Sequence, residues 1–109
     1  MNAYDASLTR TTITSLPTAS YGLNGISVEG CAIFAGGHSG SNHVDGEALS
    51  DVVSYDKSLT RKIHTSLSIG KYRFASAVVG KYILFAGGWD NKKTNSATTT
   101  TSVDAYMIN

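Results

Sequence analysis

Three tyrosines, Tyr4, Tyr55 and Tyr106, stand 51 residues apart in a chain of 109 residues. The same offset relates Asp5 to Asp56, Leu8 to Leu59, Arg10 to Arg61, Leu16 to Leu67, Tyr21 to Tyr72 and Phe34 to Phe85. It also relates the pair Gly36-Gly37 to Gly87-Gly88. Residues 1–51 laid on 52–102 without a gap share 15 identities, all within residues 4–37 of the first copy. Residues 38–51 share none with 89–102. A third copy opens at Val103-Asp104-Ala105-Tyr106. Such a period restricts the fold strongly: each copy is one small unit that buries its apolar surface against the next.

Within each copy the pattern is that of strands. Cys31-Ala32-Ile33-Phe34-Ala35 and Tyr82-Ile83-Leu84-Phe85-Ala86 are apolar runs, each ended by a double glycine. They are too short for a stable helix and apolar on both faces, which suits a strand covered on both sides. A strand is expected before each, over 23–28 and 73–79, with tight turns at Glu29-Gly30 and Gly80-Lys81. After the glycines comes a polar loop, then strands near 52–55 and 61–67, with 103–106 matching the first of these. Calling the four strands A to D, with A before the glycine-ended strand, the chain reads C-D, A-B-C-D, A-B-C. Fourteen Ser, 12 Thr, 11 Gly and one Pro agree with an all-β chain rich in turns. The double glycines are expected where packed sheets leave no room for a side chain and the backbone turns to positive φ.

Sheets apolar on both faces need a partner on each side, which a ring of sheets supplies. At this point the residues resemble the Kelch repeat, with its hydrophobic strand closed by Gly-Gly and a Tyr 15–20 residues on. The second copy carries the resemblance best, in Gly70-Lys71-Tyr72-Arg73, Ala77-Val78-Val79-Gly80-Lys81 and Ile83-Leu84-Phe85-Ala86-Gly87-Gly88. The Trp that follows the Tyr in Kelch repeats is replaced by Thr11-Thr12 in one copy and Lys62-Ile63 in the other. The resemblance implies an all-β fold, a β-propeller segment of about two four-stranded antiparallel blades. Its units are 1–51, 52–102 and the start of a third at 103–109, with strand A at the central channel and D at the rim. Gly36, Gly37, Gly87, Gly88, Tyr4, Tyr55 and Tyr106 are its structural residues.

Kelch propellers usually have six or seven blades. Two blades alone are expected to leave Ile33, Phe34, Ile83 and Phe85 open to water, each at about 1.5–3 kcal/mol. Either the chain is a piece of a longer ring, the preferred reading, or three copies close a six-bladed ring with one C strand displaced. The partner is then the missing blades or the chain itself.

Several function classes are excluded by composition. Nine basic against eight acidic residues give a net charge of +1, so neither nucleic acid nor an anionic membrane is expected as partner. One cysteine makes no internal disulfide or thiolate zinc site. No apolar run approaches the roughly 18–20 residues that cross a bilayer, and MNAYDASLTR lacks the pattern of a signal peptide. Low charge and Ser/Thr richness without a disulfide fit a surface or secreted protein better than a cytoplasmic one.

Chemistry is expected in the loops between B and C, the long stretch where the copies share no residue. On the same face lie the D-to-A connections 17–20 and 68–71. The first loop holds His38, His43, Asp45 and Glu47, and with Gly and Ser between them it reads as a solvated loop rather than a metal site. The second, Trp89-Asp90-Asn91-Lys92-Lys93, sets an aromatic face beside polar donors, suited to a sugar ring or a protein partner. Trp89, Asp90, Asn91, Lys92, His38, His43 and Asp45 are therefore the expected binding residues. Cys31 reads as an inert buried thiol, His64 lies on the outer strand, and strand A offers Arg73 as its one charge, replaced by Gly22 in the first copy. No enzyme and no cofactor are expected. The function expected is a non-catalytic scaffold binding protein or glycan through loops 38–50 and 89–101. The alternatives are a fragment of a carbohydrate-active propeller enzyme, galactose-oxidase-like or sialic-acid-mutarotase-like, with its catalytic residues in other blades, and a self-assembling two-blade unit.

Overall fold

The computed structural model describes residues 2–4, 10–40, 47–90 and 98–108. Among them there is no helix, and so none long and apolar enough to cross a membrane. Eleven strands follow in chain order: β1 (Asn2–Tyr4), β2 (Arg10–Thr12), β3 (Asn24–Val28), β4 (Cys31–Ala35), β5 (Val52–Tyr55), β6 (Arg61–Ile63), β7 (Ala75–Val79), β8 (Tyr82–Ala86), β9 (Trp89–Asp90), β10 (Thr98–Thr99) and β11 (Val103–Met107). They form antiparallel sheets ordered β1-β2, β3-β4-β5-β6, β11-β8-β7 and β10-β9. The first three sheets follow the strand sequence C-D, A-B-C-D and A-B-C, while the short β9-β10 ladder inside the second loop had no signal in the repeat.

Turn chemistry sets the register. Glu29 and Gly30 both have positive φ (47° and 77°), as a two-residue hairpin loop with a right-handed strand twist requires. At the matching turn, Gly80 alone is positive (56°), the arrangement in which glycine takes the first central position. Between β5 and β6, the Asp56 carboxylate accepts from the Ser58 and Thr60 backbone N–H groups (2.9 and 3.0 Å) and from the Ser58 hydroxyl (2.7 Å). These bonds, the Ser58 hydroxyl first, hold its pKa below the usual value.

Strand boundaries differ from expectation at two places. The strand expected from Arg73 begins at Ala75, because Arg73 has a φ of 52° and its period partner Gly22 one of 66°. Left-handed residues cannot continue a strand. The strand expected to reach Leu67 stops at Ile63. Beyond it the His64 and Leu67 N–H groups still bond to the Val52 and Ser50 carbonyls, as the chain bends inward to bury Leu67.

The core lies between the four-stranded and the three-stranded sheet. Ala35 and Val52 from one side meet Phe74, Ile83 and Phe85 from the other, with Leu67 closing the cluster and Ile26 and Ile33 packed around it. This corrects one expectation: Ile83 and Phe85 are not open to water but are 2% and 0% exposed. Ile33 and Phe34 are half-buried. Among the described residues, Val79, Tyr82, Val103 and Met107 are exposed together on the outward face of β7-β8-β11, while Leu59, Ile63, Val78 and Trp89 are exposed elsewhere.

The inter-sheet contact repeats with the sequence period. The Tyr106 hydroxyl on β11 donates to the carbonyl of Thr65, just past β6, at 2.8 Å. One period earlier, the Tyr55 hydroxyl on β5 donates to the carbonyl of Thr14, just past β2, also at 2.8 Å. Each tyrosine stands edge-on to the phenylalanine of the neighbouring strand: Phe85 at 5.7 Å from Tyr106, and Phe34 at 6.1 Å from Tyr55. The repeated tyrosine thus rivets its own sheet to the segment that leaves the preceding one. The side chain of Tyr4 lies outside the described residues.

Candidate functional site

The D-to-A and B-to-C connections meet on one face, joined by backbone hydrogen bonds. Tyr21 and His38 exchange both N–H···O=C bonds (3.0 and 2.9 Å), and Tyr72 and Trp89, one period on, do the same (3.0 and 2.9 Å). His38 and Trp89 therefore occupy matching positions, each directly after its double glycine and each pinned to a tyrosine. Their surroundings differ. His38 is fully buried, with its ring centroid 5.4 Å from that of Tyr21 and 4.9 Å from that of Tyr72. Its Nδ1 accepts the Gly40 N–H at 3.1 Å, so that nitrogen carries no proton. Trp89 is 41% exposed, while its strand neighbour Asp90 is buried.

These residues form one patch. Tyr21 and Tyr72 stand edge to face at 6.2 Å, over the junction of the two large sheets. Burial raises the Tyr72 phenol above its usual pKa, with Tyr21 and Asp90 adding to the effect and Arg73 opposing it. Arg73 is exposed and donates its backbone N–H to the Gly22 carbonyl at 2.7 Å. Holding an arginine in the left-handed region costs on the order of 1–2 kcal/mol, a strain that the bond to Gly22 helps to hold in place.

Of the seven residues expected to bind, Trp89 stands open, whereas His38 and Asp90 are buried. Asn91, Lys92, His43 and Asp45 lie outside the described residues. Glu47 is exposed, its backbone bonded to Ser39 (3.0 Å). Among the described residues no three His, Cys, Asp or Glu side chains converge on one point.

Lys71 had no signal in the sequence, because Ser20 takes its place in the other repeat. Its side chain is fully buried. Nζ donates to the Phe85 carbonyl at 2.9 Å and to the Ser102 carbonyl and hydroxyl at 3.3 Å each. Asp104 Oδ2 stands 3.7 Å away, and Nζ lies 5.1 Å from the Phe74 ring centre. Burial pushes this amine below its usual pKa, and Asp104 draws it partly back. The lysine ties the approach to β7 to the strands β8 and β11 of the same sheet, beneath the loop face.

A cleft of about 340 Å³ opens between the large sheets beside the core, whose Val52, Ile83 and Phe85 line it together with Cys31, Ser54 and His64. Cys31 is half-buried there, not sealed in the core. Ser54 Oγ and His64 Nε2 are 2.7 Å apart. A serine beside a histidine is half of a nucleophile arrangement, which also needs an acid to orient the imidazole. Among the described residues no carboxylate meets the other His64 nitrogen, and Asp56, on the cleft rim, spends Oδ1 on its turn. The pair joins the ends of β5 and β6. Burial, then nearby Lys62, lowers the His64 pKa below its usual value.

No family model matches the chain, and no curated protein matches it.

Proposed function

We infer that the chain is a Kelch-like β-propeller segment that works as a non-catalytic recognition scaffold, meeting a glycan or a protein at the loop face around Trp89. The repeated strand order and the twice-occurring tyrosine rivet support the propeller part of this reading. The observation that carries the function is the contrast between His38 and Trp89. At matching positions with matching backbone bonds, one ring is buried and the other stands open on a rigid tyrosine-backed ledge. Scaffold positions repeat because every sheet packs alike, and the position that breaks the repeat with an exposed aromatic is where a ligand would rest. A flat indole face suits the apolar face of a sugar ring, with the polar side chains of the adjoining loop serving its hydroxyls.

Trp89 is the chain's one tryptophan, so its fluorescence reports on this site alone. Titration with an oligosaccharide panel is expected to shift or quench the emission saturably. Trp89→Ala is expected to weaken binding, measured by calorimetry, by about tenfold or more. Binding that survives Trp89→Ala unchanged, or a panel of glycans and candidate proteins that leaves the emission unmoved, would overturn the reading.

A further inference from the structure

The core between the large sheets has two halves, and the sequence period maps each half onto a surface that none of the described residues covers. One half is Ala35 and Val52 with Ile26 and Ile33. Its counterparts 51 residues on are Ala86, Val103, Ala77 and Leu84, on the outward face of β7-β8-β11. The strand register places alanine, valine, leucine, methionine and one tyrosine at every position of that face. Val52 is 2% exposed and Val103, the same residue type at the same place in the repeat, is 60% exposed. The other half is Leu67, Phe74, Ile83 and Phe85. Its counterparts one period earlier are Leu16, Leu23, Ala32 and Phe34. Of these, Leu16, Leu23 and Phe34 line an open, mostly apolar groove of about 490 Å³ over the far face of the four-stranded sheet.

The glycines point the same way. A Cβ on Gly36 would collide with the Lys71 carbonyl and the Phe74 ring of the next repeat, while a Cβ on Gly87 would meet only the Thr100 carbonyl, at 3.9 Å. The Gly37 N–H donates to the Lys71 carbonyl at 2.9 Å, and its counterpart Gly88 has no such acceptor among the described residues. A Cβ on Gly88 would already meet Tyr72 and Phe74, so it is the open space at Gly87 and the N–H of Gly88 that await a neighbour not found among the described residues. Counting back one period, that neighbour would be a Ser20 carbonyl and a Leu23 side chain.

We propose that the outward face of β7-β8-β11 docks on the Leu16–Leu23–Phe34 groove of a second copy of this chain, head to tail, rebuilding between copies the core that joins the two sheets within one. The strand edge agrees with this docking. Among the described residues β11 ends its sheet with one side unpaired, and it lies two periods from β1, whose partner is β2. The second copy's Arg10–Thr12 can therefore pair with β11 in place of its own β1, with Arg10 opposite Tyr106 as Arg61 is opposite Tyr55. The two surfaces differ, so the contact is heterologous, and repeating it closes a ring or runs on as a filament. This proposal stands apart from the ligand reading at Trp89, since neither surface includes that residue.

Light scattering on the purified chain is expected to give two or more times 11.5 kDa, one discrete mass for a closed ring and an open-ended, concentration-dependent series for a filament. Two variants test the geometry: Val103→Asp on the open face and Leu16→Asp in the groove, with Ala19→Glu on the groove's exposed rim standing in wherever Leu16→Asp loses its strand circular dichroism. Each variant alone is expected to be a folded monomer. An equal mixture is expected to form a dimer, because one intact face of each kind remains. A wild-type monomer would overturn the proposal. So would a groove variant that still self-associates while Val103→Asp does not, since that pattern means face-to-face pairing of the open sheet. Two monomeric variants that stay monomeric when mixed would overturn it as well.

Discussion

Replacing Lys71 by Met keeps an unbranched buried side chain, one atom shorter, and removes its charge and all its donors. Three hydrogen bonds disappear, the shortest being the 2.9 Å bond to the Phe85 carbonyl. Asp104 keeps the Ser68 N–H on Oδ1 at 3.2 Å, but Oδ2 has no hydrogen-bond partner and loses the ammonium as well. Breaking a buried ion pair costs about 3–5 kcal/mol, mostly through the charge left behind. Asp104 retains 14% of its exposure, so the lower end, about 3 kcal/mol, is expected. For a domain of this size that corresponds to roughly 10–20 °C in Tm. Lys71→Met/Asp104→Asn removes both charges and is expected to recover about 1–2 kcal/mol of the loss in a double-mutant cycle. Alkaline pH supplies an independent check. Because burial lowers the Lys71 pKa, the unfolded chain binds more protons between the lowered value and the model value of 10.5. Stability from this group therefore rises with pH across that window. Tyr72 and Tyr106, whose pKa values burial raises, act oppositely above the model value of 10.0. They are common to both proteins, so the gap between wild type and Lys71→Met should widen as pH rises towards 10.5. Urea unfolding across this range measures both effects. A single-variant cost below about 1 kcal/mol, or a double variant as unstable as the sum of the singles, would refute this account of Lys71.

Gly36→Ala combines a φ of 67° with a collision against the next repeat, whereas Gly87→Ala has a similar φ of 71° and open space. Thermal unfolding of the dissociated Val103→Asp background should therefore rank Gly36→Ala as the more damaging by about 2 kcal/mol or more, and equal losses would count against a packing role for Gly36. His64 has a lowered pKa, so the stability it contributes is present above the model value of 6.5 and lost as pH falls through the lowered folded value. His64→Gln should flatten that acid-side slope in urea titrations, and an unchanged slope would assign it to other groups.

The strands, their order and the place of the variable loops could be read from one period, because strand formation and turn geometry depend on near neighbours in sequence. Tyr55 and Tyr106 were marked by their spacing, although their hydroxyl bonds to Thr14 and Thr65 were not, since side-chain bonds across sheets leave no trace in a pattern of residue types. The ends of β6 and β7 were misplaced because Arg73 adopts a left-handed φ that arginine seldom takes, and because Leu67 leaves the strand to reach the core. The loop face was expected from its lack of identity between copies, but identical reasoning applied to His38 and Trp89, and only the fold separated the buried ring from the open one.

Local pattern and burial answer to different neighbours. Val52 and Val103 are indistinguishable in the sequence, each at the head of a C strand one period apart, yet one is in the core and the other in water. What separates them is whether another sheet lies across the strand, a relation between residues far apart in the chain. Lys71 is the same case in reverse: nothing beside it in the sequence marks it for burial, and the carbonyls of Phe85 and Ser102 with the carboxylate of Asp104 converge on it only when the sheet forms. The sequence by itself determined the repeating unit and its strands. The tertiary structure decided which faces of those units were covered and which charge could be carried inside, because burial is set by packing between units and no single unit encodes it.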